Sequence, residues 1–398
     1  MKDNNLEKIK EVLTRGVENT YPDLESLEKV LLSPKKLKIY HGIDPTGPTL
    51  HLGHFVQLLK LKQLQDLGHK IIILFGDFTA QIGDPTDKLA VRQPLTHRQV
   101  LLNTRDYKKQ IGRVLNLKKT VFKHNSQWLG KLKFKDLIEI SSNFTAQQTL
   151  ARGMFQTRIE QGKDLYLHEF LYPLMQAYDS VAMDVDMEIG GNDQMFNMLA
   201  GRTLMRKMKN KEKFVITTKL LEDISGKKMG KTENNMVALN DQPSEMYGKI
   251  MSWPDELIMV GFEIATDVSM AEIFQIKKDL DNGENPKKMK MLLAYKIVEL
   301  NYGTNSAISA EENFRQIFEQ NLNPDDIKEF KIKARNIVDV LVETGLAGSK
   351  SDARRLVKQG GVKVDTITVI DENFEIKSID ADGVVIQKGK RHFAKLVK

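Results

Sequence analysis

Two histidines three residues apart, His51 and His54, close the stretch Asp44-Pro45-Thr46-Gly47-Pro48-Thr49-Leu50-His51-Leu52-Gly53-His54. On a helix, that spacing puts both imidazoles on one face. A helix start also presents unpaired N–H groups and the positive end of the dipole to an anion. The pattern suits a nucleoside triphosphate, with two imidazoles donating to phosphate oxygens. Gly53 between them leaves room for a flat ring or a backbone. Taken alone, the same two residues also fit a metal pair or ordinary helix caps. The metal pair lacks the glutamate of HExxH, and the chain has only 8 His and no Cys to complete such a site.

Three further stretches carry candidate chemistry. Ser225-Gly226-Lys227-Lys228-Met229-Gly230-Lys231-Thr232 offers three ammoniums on a glycine-hinged loop, which can close over polyphosphate and meet charge that develops in a transition state. Its spacing is not that of a P-loop, and a solvated basic turn is the plainer alternative. Tyr172, Gln176 and Asp179 fall at i, i+4 and i+7, a polar stripe that faces either solvent or a polar pocket. Downstream, Gly190-Gly191 would let a backbone approach a ligand beside Asn192-Asp193-Gln194. Finally, Gly76 to Thr86 leaves the end of an apolar strand, where open α/β sheets bind ligands. Asp84 in that stretch is a candidate partner for a ligand ammonium, or a turn residue before Pro85.

These residues need a scaffold, and the sequence indicates one. Leu37 to Gly42 reads as a strand, and His51 to Leu67 as a helix with Phe55, Leu58, Leu61 and Leu64 at helical spacing. Gly68 stops that helix, and the unbroken apolar run Ile71 to Phe75 reads as a buried parallel strand. Strand, helix, strand in about 40 residues is a βαβ unit, so the first half is expected to be a parallel α/β sheet. Asp184–Ile189 and Phe214–Thr218 read as further strands, and Thr145–Glu160 and Leu165–Tyr178 as helices. Residues 243–330 show helical spacings and no convincing strand, which predicts a separate helical domain. The fold class expected is α/β: a Rossmann-like parallel-sheet domain, then a helical domain, then a small α+β domain. The boundaries expected are 1–225, 226–325, a linker at 326–335, and 336–398.

The chain has 398 residues, 41% hydrophobic and 28% charged, which excludes collagen-like and low-complexity sequences. The absence of cysteine excludes disulfides, thiolate metal sites and a cysteine nucleophile, and predicts a reduced, cytoplasmic setting. No run of about 18 uncharged apolar residues occurs and the N-terminus has no apolar core, so neither membrane span nor signal peptide is expected. Of the net charge of +7, a net +5 lies in residues 331–398, from 14 basic and 9 acidic side chains. An anionic partner at that end, or simply a well-solvated surface, would explain the excess.

Taken together, these motifs resemble class I aminoacyl-tRNA synthetases. His51-Leu52-Gly53-His54 resembles the HIGH signature, and Lys228-Met229-Gly230-Lys231-Thr232 the KMSKS signature, with Gly230 and Thr232 where the consensus has serines. Tyr40 to Thr46, the Tyr172/Gln176/Asp179 helix and Gly190 to Gln194 resemble bacterial tyrosyl-tRNA synthetases, and the likeness spans essentially the whole chain. Asn192 stands at a position often Ser or Thr, and Met195-Phe196 where one bacterial subtype has a Trp-Gly pair, which points to the other subtype. The tail is similar to the RNA-binding fold of ribosomal small-subunit protein four, matched by Gly345-Leu346-Ala347 and Ser351 to Val357.

The resemblance implies residue roles. Tyr40 and Asp179 would bind the phenolic hydroxyl of tyrosine; Asp84, Tyr172 and Gln176 its ammonium; Gln194 would lie near its carboxylate. Asp44, Gly53 and Asp193 would line the adenosine side. Thr46, His51, His54, Lys228 and Lys231, with the hydroxyl of Thr232, would serve the ATP phosphates. Lys350, Arg354, Arg355 and Lys358 would meet RNA. It further implies ATP with Mg²⁺, tRNA(Tyr) as partner, and a homodimer. Two rivals stay open at this point: a tryptophanyl enzyme with the same signatures, and a non-catalytic RNA-binding protein derived from a synthetase.

Overall fold

The computed structural model describes residues 2–84, 96–222, 236–318, 327–331, 334–379, 383–389 and 392–397. The chain divides into two compact units, one of residues 1–241 with 253–303 and one of residues 242–252 with 304–398. No helix among the described residues is long and apolar enough to cross a membrane.

Among the described residues, the first unit is built on six strands: β1 (Val17–Tyr21), β2 (Lys38–Ile43), β3 (Lys70–Phe75), β4 (Thr120–His124), β5 (Met187–Gly191) and β6 (Phe214–Thr218). Their order is β1-β6-β5-β2-β3-β4, parallel throughout except for β1, which runs antiparallel to β6. The central strands are the apolar ones. Ile71 to Phe75 and all of β5 and β6 are buried, as parallel strands covered on both faces must be. The edges are not legible in the same way. β1 is Val-Glu-Asn-Thr-Tyr and only partly buried, so it carries neither an apolar run nor a clean alternation.

The chain leaves β2 outward through β3 and β4, then returns to lay β5 on the other side of β2. That reversal is a topological switch point, and it opens a crevice beyond the C-terminal ends of β2 and β5. The helix Leu52–Asp66 follows β2 and buries Phe55, Leu58, Leu61 and Leu64 completely. It ends before Gly68, whose φ of +85° suits a residue without Cβ. Lys60 of this helix is buried, its Nζ donating to Val12 O and Arg15 O at 2.8 Å each, and burial brings its pKa down to about 7. The helix expected over 145–160 is two, Ala146–Leu150 and Gly153–Glu160.

Of the later helices, those within residues 253–303 belong to this unit rather than to a separate domain. The Arg15 guanidinium donates to the carbonyls of Phe262, Glu263 and Thr266 at the end of the helix Leu257–Ala265. Those carbonyls are the unpaired acceptors of a helix terminus, and a cation is the favoured partner there.

In the second unit, the helices Pro243–Met251 and Thr304–Phe318 meet through the Tyr247 and Phe314 rings, 5.4 Å apart. Its α+β part has five strands, β7 (Glu329–Phe330), β8 (Val362–Val364), β9 (Ile367–Val369), β10 (Val384–Lys388) and β11 (His392–Leu396), in the order β7-β11-β10-β8-β9. The helices Ile337–Glu343 and Lys350–Lys358 share a core with this sheet, including Ile337, Leu341, Ala353, Val357 and Ile386. Ser349 caps the second helix by accepting from Asp352 N. β7 lies inside the stretch expected to be a linker, where its two residues pair in parallel with β11. A two-residue strand leaves no periodicity to read.

Candidate active site

The polar stripe predicted from helical spacing faces inward. In the helix Leu167–Met183, Tyr172 is 6 % exposed and Asp179 2 %. Tyr172 Oη donates to Asp44 Oδ2 at 2.8 Å, and Gln176 Nε2 donates to Glu188 Oε1 at 3.1 Å. Asp179 accepts from Trp128 Nε1 at 2.7 Å and from Asn125 Nδ2 at 3.3 Å. The stripe therefore covers the ends of β2 and β5, at the switch point of the sheet.

One hydrogen-bonded line joins the far ends of this region. Tyr172 donates to Asp44, Asp44 Oδ1 accepts from Thr79 Oγ1 at 2.7 Å, and Thr79 Oγ1 accepts from Asn125 Nδ2 at 3.0 Å. Asn125 also reaches Asp179. Three members, Thr79, Asn125 and Trp128, escape a reading of the sequence. Thr79 and Asn125 are common residue types, Trp128 sits in the short helix Ser126–Leu129, and the parallel pairing of β3 with β4 brings them together. Gly76 makes the line possible. A Cβ there would fall within the contact radius of both Asp44 Oδ1 and Thr79 Oγ1.

Asp84 lies at the other end of β3's outgoing loop. Its Oδ2 accepts from Gln194 Nε2 at 2.8 Å, which sets the predicted ammonium partner beside the residue expected near the carboxylate. Asn197 braces the pair, donating to Gln194 Oε1 at 3.0 Å. The two glycines before Asn192 serve packing, not an open approach. A Cβ on Gly190 would lie 2.9 Å from Met198 Sδ, and one on Gly191 2.6 Å from Asp193 Oδ1 and 2.9 Å from Leu220 Cδ2.

Tyr40 on β2 is fully buried, its hydroxyl 3.1 Å from Ser180 Oγ. Burial first, then the carboxylates of Glu188 and Asp179, push its pKa far above the usual tyrosine range. Burial likewise raises Asp179 well above an ordinary carboxylate, against the Trp128 and Asn125 hydrogen bonds that favour its charged form. Tyr172 is raised by burial and by its neighbours Asp44 and Asp84. The pocket combines protonated phenols with the carboxyl oxygens of Asp44 and Asp179, which accept hydrogen bonds from Thr79, Tyr172, Trp128 and Asn125.

The predicted phosphate end is a helix start. His51 is the N-cap of the 52–66 helix and accepts from Gly53 N on Nδ1 at 3.1 Å, while His51 N donates to His54 Nδ1 at 3.3 Å. The two rings lie 4.1 Å apart. The space that Gly53 leaves is taken by His51, because a Cβ there would lie 2.8 Å from the imidazole Cε1. Thr46 N closes a tight turn on Asp44 O at 2.8 Å. The turn is held from outside by the helix His97–Ile111, with Asn103 Nδ2 on Pro45 O at 2.8 Å and Tyr107 Oη on Gly47 O at 2.6 Å. That helix is not among those expected from the sequence, although Val100, Thr104, Tyr107 and Ile111, all buried, stand at helical spacing and give the signal. Lys228, Lys231 and Thr232 lie outside the described residues.

The predicted RNA contacts are all on one helix of the second unit, and each has an acidic neighbour. Lys350 pairs with Asp339 at 2.8 Å and Arg355 with Asp352 at 2.6 Å. Lys358 and Arg354 approach Glu372 at 3.3 and 3.9 Å. Such exposed pairs are worth little and are readily exchanged for phosphate.

Comparison with known proteins gives the family. Residues 33–319 match a family model described as tRNA synthetases class I (W and Y), and residues 317–396 match the tyrosine–tRNA ligase SYY-like C-terminal domain. A tyrosine–tRNA ligase of Moorella thermoacetica is 43% identical over 97% of this chain and 94% of its own length. One of Francisella tularensis is 42% identical over 97% of this chain and 98% of its own. Among solved structures, a tyrosyl-tRNA synthetase of Archaeoglobus fulgidus complexed with L-tyrosine shares the fold, with a TM-score of 0.61 at 21% identity over 77% of this chain and 99% of that one. A truncated mitochondrial enzyme of Coccidioides posadasii does so with a TM-score of 0.63 at 22% identity over 78% of this chain and 95% of that one. With a family model over most of its length and such relatives over nearly all of it, this chain belongs to the class I tRNA synthetases, in their tyrosine–tRNA ligase branch.

Proposed function

We propose that this tyrosine–tRNA ligase works by positioning and charge stabilisation alone, with the residues below in the stated roles. The tyrosine carboxylate attacks the α-phosphorus of ATP in line. The bond to the bridging oxygen breaks, pyrophosphate leaves, and tyrosyl-adenylate remains. The 3′-terminal ribose of tRNA(Tyr) then attacks the activated carbonyl carbon and AMP departs. The carboxylate is already a nucleophile, so the first step needs no general base.

Tyr40 and Asp179 take the phenolic hydroxyl of tyrosine. Asp84, Tyr172 and Gln176 take its ammonium, and Gln194 lies near its carboxylate. Asp44, Gly53 and Asp193 serve the adenosine side. Thr46, His51, His54, Lys228, Lys231 and Thr232 hold the phosphates and the leaving pyrophosphate. ATP enters as its Mg²⁺ complex, the metal carried on the phosphate oxygens.

The observation that carries this reading is the line Tyr172–Asp44–Thr79–Asn125–Asp179 at the switch point. It couples an acceptor suited to a phenol with one suited to ribose, next to the His51/His54 helix start.

In this reading, residues 1–225 are catalytic and 226–325 supply the second signature and the anticodon-side helices. Residues 326–335 lead into the C-terminal sheet through β7, and 336–398 bind tRNA through phosphates. The enzyme acts in the cytoplasm as a homodimer. The exposed apolar side chains of Phe134, Ile138 and Leu167, at 78 %, 54 % and 83 %, support an apolar contact with a second copy. The test is tyrosine-dependent exchange of pyrophosphate into ATP. His51→Ala and Lys231→Ala are each expected to lower the exchange rate with little change in tyrosine binding. Unchanged exchange in both would reject the phosphate roles.

A further inference from the structure

A buried ion pair lies behind the tyrosine pocket. Lys213, fully buried just before β6, and Glu188, 2 % exposed on β5, are in direct contact. Lys213 Nζ donates to Glu188 Oε2, to Ser180 Oγ at 2.8 Å and to Met198 O at 3.2 Å, which engages all three ammonium protons. The chain has a glycine where this ammonium needs room. A Cβ on Gly201 would collide with Lys213 Nζ and lie 2.9 Å from Ser180 Oγ. A buried pair of this kind is weak evidence of stabilisation, because apolar side chains of equal volume serve a core as well or better. Its partners suggest another use, since both ends of the pair touch residues of the pocket.

We propose that Lys213 and Glu188 are positioning residues that fix the hydrogen-bond polarity of Tyr40 and Gln176, an inference that rests on the roles proposed for those two residues. An ammonium only donates, so Ser180 Oγ accepts from Lys213 and has its own proton to give. Tyr40 Oη, 3.1 Å away, takes it. Tyr40 thereby has its own O–H proton to give; without substrate that proton is directed at Glu188, and with tyrosine bound it turns to the phenolic oxygen, while Asp179 accepts the hydrogen bond of the phenol. Burial and the neighbouring carboxylates, which hold Tyr40 protonated, agree with a donor. On the other arm, a carboxylate paired with an ammonium only accepts. Gln176 therefore turns its Nε2 to Glu188 and its carbonyl oxygen away, as an acceptor for the substrate ammonium. One pair sets a donor at the phenol end of the pocket and an acceptor at the ammonium end.

The two arms predict different kinetics, which keeps them apart from a structural role. The assay is ATP–pyrophosphate exchange by the full chain, with tyrosine and with phenylalanine as substrates. Ser180→Ala leaves the Lys213–Glu188 contact in place, and removes the relay to Tyr40 together with one of the three acceptors of the ammonium. It should lower kcat/KM for tyrosine by about tenfold, the worth of one hydrogen bond, and leave phenylalanine within about twofold. The double variant Lys213→Met/Glu188→Gln removes both charges and releases Gln176 as well. It should raise KM for both amino acids by about tenfold, with KM for ATP unchanged. Folded variants that keep the wild-type tyrosine-to-phenylalanine ratio and both KM values overturn the inference. So does an equal loss for tyrosine, phenylalanine and ATP, the mark of a structural defect. If the double variant does not fold, Ser180→Ala decides alone. A wild-type chain that exchanges without tyrosine dependence would instead overturn the proposed function, and this inference with it.

Discussion

Gly76→Ala is a small change aimed at the centre of the site. The added Cβ would overlap Asp44 Oδ1 and Thr79 Oγ1 and lie 3.0 Å from Asp44 Cγ, so the Asp44 carboxylate has to swing away. It then loses its donors Thr79 Oγ1, at 2.7 Å, and Tyr172 Oη, at 2.8 Å. A hydrogen bond to a charged group contributes about 1.5–3 kcal/mol, so two lost at the lower figure give roughly 3 kcal/mol. At about 1.4 kcal/mol per factor of ten, kcat/KM for tyrosine in pyrophosphate exchange should fall roughly a hundredfold. Thr79→Val removes one of the two donors without adding bulk and should cost about a tenfold loss. The reasoning is refuted if Gly76→Ala folds with the wild-type melting temperature and exchanges within about twofold of wild type. It is also refuted if Thr79→Val loses as much as Gly76→Ala.

Two other expectations concern stability and the tail. His69 is 6 % exposed and its Nδ1 accepts from Leu37 N at 3.2 Å; burial first, then Lys36, lower its pKa from 6.5 to about 4. The unfolded chain therefore binds the extra proton between those two values, and the stabilisation present above pH 6.5 is lost as pH falls toward 4. By pH 5 the loss should be about 2 kcal/mol in urea denaturation, and His69→Gln should flatten that part of the profile; a parallel pH dependence in both proteins contradicts it. Deleting residues 336–398 should spare tyrosine-dependent exchange and impair tRNA charging, and the gap to the intact enzyme should narrow as salt rises. Full charging by the truncated chain in moderate salt contradicts that role.

Local patterns reveal much of this molecule, because its centre is apolar and its helices are periodic. Ile71 to Phe75 reads as a strand since a strand covered on both faces can only be apolar. Tyr172, Gln176 and Asp179 read as one face since helix geometry fixes which residues align. What stayed hidden depends on pairing across the chain. β1 is polar and stands at an edge, where its antiparallel pairing with β6 matters more than its own residues. Thr79, Asn125 and Trp128 acquire meaning only when β3 and β4 bring them together. Lys213 and Glu188 are single charges 25 positions apart in sequence, although a glutamate between Met187 and Ile189 in an apolar strand is itself a signal that a buried partner exists. Gly190, Gly191 and Gly53 show the reverse error: their missing side chains are read as room for a ligand, and protein atoms occupy that room.

The most direct test of the account offers the purified chain each of the twenty amino acids, with ATP and Mg²⁺, and follows pyrophosphate exchange. A pocket that pairs a phenol donor with a carboxylate acceptor predicts robust exchange with tyrosine and little with phenylalanine or tryptophan. Exchange driven equally well by phenylalanine or tryptophan, or by no amino acid at all, would contradict it.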